Sequence, residues 1–117
     1  MDVRRFADEL LAALAAQGVF ERMSLQTEGP IASGRAYLRS QEDQFLRVYF
    51  NETTGTIAFA LISNQQRIWG VDYDNRRGWH LHPVENPADH VAIEPPSIAE
   101  IVLLLNEALS GKDKLGS

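Results

Sequence analysis

Gln66-Arg-Ile-Trp-Gly-Val-Asp-Tyr-Asp-Asn-Arg-Arg-Gly-Trp-His-Leu-His-Pro83 is the stretch whose reading decides the fold, and most of the residues able to do chemistry lie within it. Trp69, Val71 and Tyr73 alternate on one side of the Asp-Asn-Arg-Arg-Gly segment, and Trp79 and Leu81 alternate on the other. That pattern predicts a β-hairpin, with Gly78 free to take the positive φ a tight turn requires. It also predicts a register. If the large apolar residues of both strands share the buried face, then Gly70, Asp72 and Asp74 share the opposite face with His80 and His82. Two carboxylates, two imidazoles and the guanidiniums of Arg76 and Arg77 then meet at one end of one hairpin.

Outward from the hairpin, the chain reads as a meander between two helices. Phe6, Leu10, Leu11 and Leu14 recur at helical spacing from Asp2 to about Ala16, and Gly18 provides a stop. Met23, Leu25 and Thr27 alternate up to the turn residues Glu28, Gly29 and Pro30; Arg35 to Arg39 follows as a second strand with Tyr37 inward. Ser40 to Asp43 turns the chain into Phe45–Phe50, Asn51 to Gly55 turns it again, and Thr56–Ile62 is apolar on both faces, as a central strand would be. Asn64-Gln65 makes a tight turn into the focal hairpin. His90–Ile93 adds a short strand. Pro95 and Pro96 then block helix until Ser97-Ile-Ala-Glu100, a capping box opening a stripe of Ile98, Ile101, Val102, Leu105 and Leu109. Gly111 is expected to end this helix and 112–117 to form a flexible tail. The fold class is therefore α+β: an antiparallel meander sheet of five to six strands in one domain (1–111), with the N-terminal and C-terminal helices packed on one face. Short connections between consecutive strands exclude a doubly wound parallel sheet.

Composition sets the outer limits. The chain has 117 residues and 44% apolar content, enough for one buried core and consistent with a globular fold. It lacks cysteine, which excludes a disulfide scaffold, thiolate metal ligation and Cys-His nucleophilic catalysis. No apolar run is long enough to span a bilayer and the N-terminus lacks a signal-peptide pattern, so no membrane partner and a cytoplasmic location are expected. A net charge of −5 argues against a broad phosphate-binding surface, so any RNA would be engaged locally. No Gly-rich phosphate loop or nucleophile elbow is present, and no cofactor is implied.

The hairpin cluster itself admits three chemistries. His80 and His82 are two apart on a strand, hence on one face with backbones about 6.5 Å apart. Histidines titrating near neutrality suit phosphodiester transesterification: one removes a ribose 2′-OH proton, the other protonates the leaving oxygen, and Arg76 or Arg77 stabilises the developing charge. The same two imidazoles with Asp72 or Asp74 as a third ligand would make an open His-His-carboxylate metal site. Alternatively, Asp72 and His80 form a cross-strand hydrogen bond that only holds the hairpin. The candidate catalytic residues are thus His80, His82, Asp72, Asp74 and Arg77.

Phe59 to Pro83, followed by Glu94-Pro-Pro-Ser-Ile-Ala-Glu-Ile101, resembles the TumE-like proteins of bacteria and archaea. The similar elements are the Tyr73-Asp74-Asn75 turn, the histidine-bearing strand after it and the Pro-Ser-x-x-Glu start of the last helix. They cover about the C-terminal half; the N-terminal helix and the first two strands have no counterpart. These relatives are proposed toxins encoded beside a helix-turn-helix antitoxin. The resemblance implies an RNA or translation-related target and a neutralising partner; the broad apolar surface of the last helix, or the stripe of the first, is where that partner or a second copy of the chain is expected. A non-catalytic protein-interaction module and a small metal-binding domain are the alternatives.

Overall fold

A computed structural model describes residues 1–39 and 43–116, with the backbone alone for 111–116. The chain runs α1 (Val3–Gln17), β1 (Phe20–Glu28), β2 (Ile31–Leu38), β3 (Gln44–Asn51), β4 (Ile57–Ser63), β5 (Gln66–Asp74), β6 (Gly78–His82), β7 (Val91–Ala92) and α2 (Ile98–Gly116). All seven strands form one antiparallel sheet in sequence order. This is the expected α+β meander between two helices, with seven strands where five to six were expected; the short strand expected at His90–Ile93 is β7, paired with β6. Ser40, Gln41 and Glu42 of the expected turn lie outside the described residues.

Both helices begin for local reasons, and α1 also ends for one. The Asp2 carboxylate accepts from the Arg5 N–H at 2.8 Å, and Gly18 closes α1 at φ +68°. At α2 the Ser97 hydroxyl accepts from Glu100 N–H (3.1 Å) while the Glu100 carboxylate accepts from Ser97 N–H (3.0 Å). This is the capping box anticipated from sequence. The Ser97 N–H foremost, and then the Ser97 hydroxyl, hold the Glu100 carboxyl below its ordinary value, against a smaller opposing effect of burial. Contrary to expectation α2 continues past Gly111, since one glycine inside a helix costs only about 1 kcal/mol.

The helices lie side by side on one sheet face. Phe6, Leu10, Ala13 and Leu14 of α1 and Ile98, Ile101, Val102 and Leu105 of α2 are buried with Leu46, Val48, Phe50, Phe59, Leu61, Trp69 and Val71 of the sheet. Phe6 is the keystone of this layer. Its ring stacks on Phe50 at 4.6 Å with 7° between planes and tilts against Phe59 at 6.2 Å. On β2 the covered face takes Ala32, Ala36 and Leu38, so Tyr37 points away from the core, opposite Phe45 and Arg22 on the open face. That corrects the inward placement of Tyr37. Side chains alternate, and the small alanines leave α1 room to approach.

The same alternation generates ordered rows across the uncovered face. Register pairs Arg22, Tyr37, Phe45, Ile62 and Arg67 in one row, and Ser24, Arg35, Arg47, Ala60, Gly70 and His82 in the next. A third holds Gln26, Ser33, Tyr49, Ala58, Asp72 and His80. A bulge between Leu61 and Ile62 adds a residue to β5; it brings Arg67 to the open face while Trp69 stays in the core. Among the described residues no helix is long and apolar enough to cross a membrane.

Phe6→Ala should reduce folding stability by about 3–5 kcal/mol, because the stacked ring is fully buried between helix and sheet. Urea denaturation with an unchanged m-value is the measurement that checks it.

Candidate functional site

The focal hairpin has the expected parity. Tyr73 pairs with Trp79 and Val71 with Leu81 toward the core, while Asp72 pairs with His80 and Gly70 with His82 on the open face. Its Asp74–Gly78 turn is held by side chains: Asp74 Oδ1 accepts from the Arg77 N–H at 2.8 Å and the Arg76 N–H at 2.9 Å. The Arg77 amide foremost, then the Arg76 amide and the charges of His80 and Arg77, hold the Asp74 carboxyl below its ordinary value, against an opposing effect of burial. Asn75 donates to Thr54 O of the neighbouring turn at 3.2 Å, and its Oδ1 accepts from the Tyr73 hydroxyl at 3.4 Å. The Tyr-Asp-Asn motif thus locks two adjacent loops.

The histidines are arranged differently from a simple solvated pair. Although on the uncovered face, His80 and His82 are only 5% and 1% exposed. The loop after Pro83 covers them. It is tied by Asn86 N–H to Pro83 O (3.2 Å) and Asp89 N–H to Asn86 O (3.0 Å), and then returns as β7 with Ala92 opposite His80 and Val91 opposite Leu81. That return brings the chain's third histidine into the cluster. Ring centroids are 5.0 Å apart for His80 and His82, 5.3 Å for His80 and His90, and 4.6 Å for His82 and His90. One ring nitrogen from each of the three can be chosen so that all lie within 4.8 Å of one another.

Hydrogen bonding orients two of the rings. His80 Nδ1 lies 3.2 Å from Gly78 O and His82 Nδ1 lies 3.1 Å from Pro87 O. A carbonyl only accepts, so each Nδ1 carries the proton and donates it. In the neutral ring each Nε2 is then a lone pair, and both are aimed at one atom: Asp72 Oδ2 is 3.0 Å from His82 Nε2 and 3.6 Å from His80 Nε2. The close contact is thus the diagonal one to His82, and the directly opposite His80 is beyond hydrogen-bond range. Arg67 Nη1 stands 3.9 Å from the same oxygen. A shared proton would join His82 Nε2 to Asp72 Oδ2, and a metal ion is a second group that these three atoms could hold.

His90 differs in being exposed, and Arg77 Nη1 lies 2.8 Å from its Nε2. The guanidinium only donates, so this nitrogen presents its lone pair. Desolvation first, then the charges of His82, Arg77, His80 and Arg67, lower the His90 pKa below its ordinary value and favour the neutral ring. Of the five residues singled out from sequence, Asp72, His80 and His82 converge. Arg77 joins them through His90, and the Asp74 carboxylate is engaged by the turn. His90 was missed, although it is the last of only three histidines in the chain.

Gly70 sets how closely the sheet approaches this cluster. A Cβ there would meet Phe59 O at 3.0 Å and His82 Cδ2 at 3.5 Å. No protein-family model, curated protein or solved structure matches the chain.

Gly70→Val should therefore destabilise the fold by about 1–3 kcal/mol through overpacking. In histidine-selective NMR it should shift the ring resonances of His82, whereas Leu11→Ala, on the outer side of α1, should leave them in place.

Proposed function

We propose that this chain is a small metal-binding domain in which His80, His82 and His90 hold a divalent transition-metal ion on the open face of the sheet, with Asp72 beside it. One observation carries the reading. The Nδ1–H groups of His80 and His82 are spent on backbone carbonyls, and both Nε2 lone pairs converge on one carboxylate oxygen. Backbone acceptors that fix the tautomer are the usual second shell of metal-bound imidazole. With Asp72 Oδ2 as a further ligand, its 3.0 and 3.6 Å separations from the two Nε2 atoms would bracket the spacing of ligands on a tetrahedral ion, about 3.3 Å for bond lengths of about 2.0–2.1 Å. A purely imidazole and carboxylate donor set favours the zinc, cobalt, nickel and copper group over calcium or magnesium. His90, exposed and bonded to Arg77, would close the site by turning a lone pair inward, so the ion would sit at the surface, where a further ligand could reach it.

A second reading is a TumE-like toxin that acts on RNA and is neutralised by a helix-turn-helix partner. It is supported by the structural work of its motif residues, the turn lock of Tyr73, Asp74 and Asn75 and the capping box of Ser97 and Glu100. It is also supported by a surface hollow of about 430 Å³ beside α2, where Leu81, Ile93 and Leu104 are rimmed by Glu94, Glu100 and Glu107. Metal-free acid–base catalysis by His80 and His82 fits less well, because both rings are buried and each spends one nitrogen on the backbone.

Chelator-treated protein titrated with Co²⁺ should develop the visible absorption of a four-coordinate ion at one equivalent, and Zn²⁺ should displace it. His90→Ala, a surface change, should weaken binding about tenfold or more while leaving the circular dichroism unchanged. Absence of saturable binding by the wild type would sink the proposal. For the second reading, induced expression should arrest growth in a bacterial host, and the adjacent helix-turn-helix gene should restore it. Normal growth on expression of the wild-type chain alone counts against it.

A further inference from the structure

The open face carries a second polar constellation, on β2 and β3 rather than β6 and β7. Arg35 and Arg47 stand directly opposite each other in the sheet, both exposed. Like charges in that position repel. Among the described residues neither forms a salt bridge, and the positions flanking them along their row are Ser24 and Ala60. Each neighbouring row adds an aromatic residue. Arg35 is stacked on Phe45, with Cζ 4.6 Å from the ring centre, and Arg22 lies over Tyr37 at 4.3 Å. Stacking leaves the edge of a guanidinium, where its N–H groups are, free to meet a ligand.

These arginines border a hollow of about 540 Å³, within the size range of small-molecule sites. Ser24, Ser33 and Tyr49 contribute hydroxyls to its lining. Tyr49 Oη accepts from Asn51 Nδ2 at 3.3 Å, so its own proton is available to donate elsewhere. Among the described residues no carboxylate lines the hollow. On a chain of net charge −5, two unpaired guanidiniums among hydroxyl donors make a local site for an anion.

We infer that this hollow binds a phosphate oxyanion, free or as a monoester, gripped between Arg35 and Arg47. A doubly charged tetrahedral group relieves the repulsion of the pair and offers enough oxygens for both guanidiniums and the hydroxyls; a carboxylate has only two oxygens and one charge. An esterified group would lie over Ala58, a lining residue that raises nothing beyond a Cβ from the floor beside Tyr49. The site does not depend on the histidine cluster, which lies three strands from Arg47, about 14 Å at the usual strand spacing.

Isothermal titration of EDTA-treated protein with inorganic phosphate and with AMP separates the two sources while keeping any metal out of the measurement. Saturable binding of both with equal affinity assigns the site to free phosphate; tighter binding of AMP assigns it to a monoester. In either case Arg47→Gln should weaken binding about tenfold or more, the loss expected for charged hydrogen bonds, and Arg4→Gln, the same charge change on α1, should have no effect. Arg47→Gln should also be no less stable than the wild type in phosphate-free, low-salt buffer, since it removes a repulsion. No saturable binding by the wild type, or equal binding by Arg47→Gln and wild type, overturns the proposal.

Discussion

The structure depends on one constraint: a face of the sheet must be apolar enough to carry two helices. Phe6 between Phe50 and Phe59, and the α2 stripe over Trp69 and Val71, determine which side of every strand faces inward. Because strand side chains alternate, that choice also determines everything on the other side. Asp72, His80 and His82 share a face with Arg35 and Arg47 because their neighbours Val71, Leu81, Ala36 and Leu46 are in the core. The chemistry of the open face is a by-product of packing on the closed one.

The two polar groups on that open face are built differently. At the hairpin the groups are enclosed and organised: a half-buried carboxylate faces two buried imidazoles whose other nitrogens are already bonded to backbone carbonyls, and a loop lies over them. On β2 and β3 the charge is exposed, of one sign, and supported by aromatic rings. The strip between them, Ala60 and Gly70, is nearly without side chains, so the face is a shallow floor with imidazoles and a carboxylate at one end and guanidiniums at the other.

The resemblance to TumE-like toxins rests on residues that the structure employs locally. Asp74 and Asn75 tie the hairpin turn to its neighbour, and Ser97 and Glu100 start α2. Such roles carry no chemistry of their own, since a turn lock or a capping box serves any chain that makes the same turn or helix start. They leave the histidine face as the part of the molecule whose arrangement the fold alone does not require.

Much was legible in the sequence, since helix caps, turns and alternation are properties of a few adjacent residues. Asp2 and Gly18 bounded α1, Ser97 and Glu100 opened α2, and the spacing of Trp69, Val71, Trp79 and Leu81 determined which way Asp72, His80 and His82 point. Tyr37 went the wrong way because its neighbour Ala36 is a weaker hydrophobic signal, yet only a small residue fits beneath α1. The rest belonged to tertiary structure. Burial of His80 and His82, the arrival of His90 and the confrontation of Arg35 with Arg47 depend on which strands pair and on the path of the loop from Pro83 to Asp89. Those are decided by contacts between residues distant along the chain, where local periodicity carries no information.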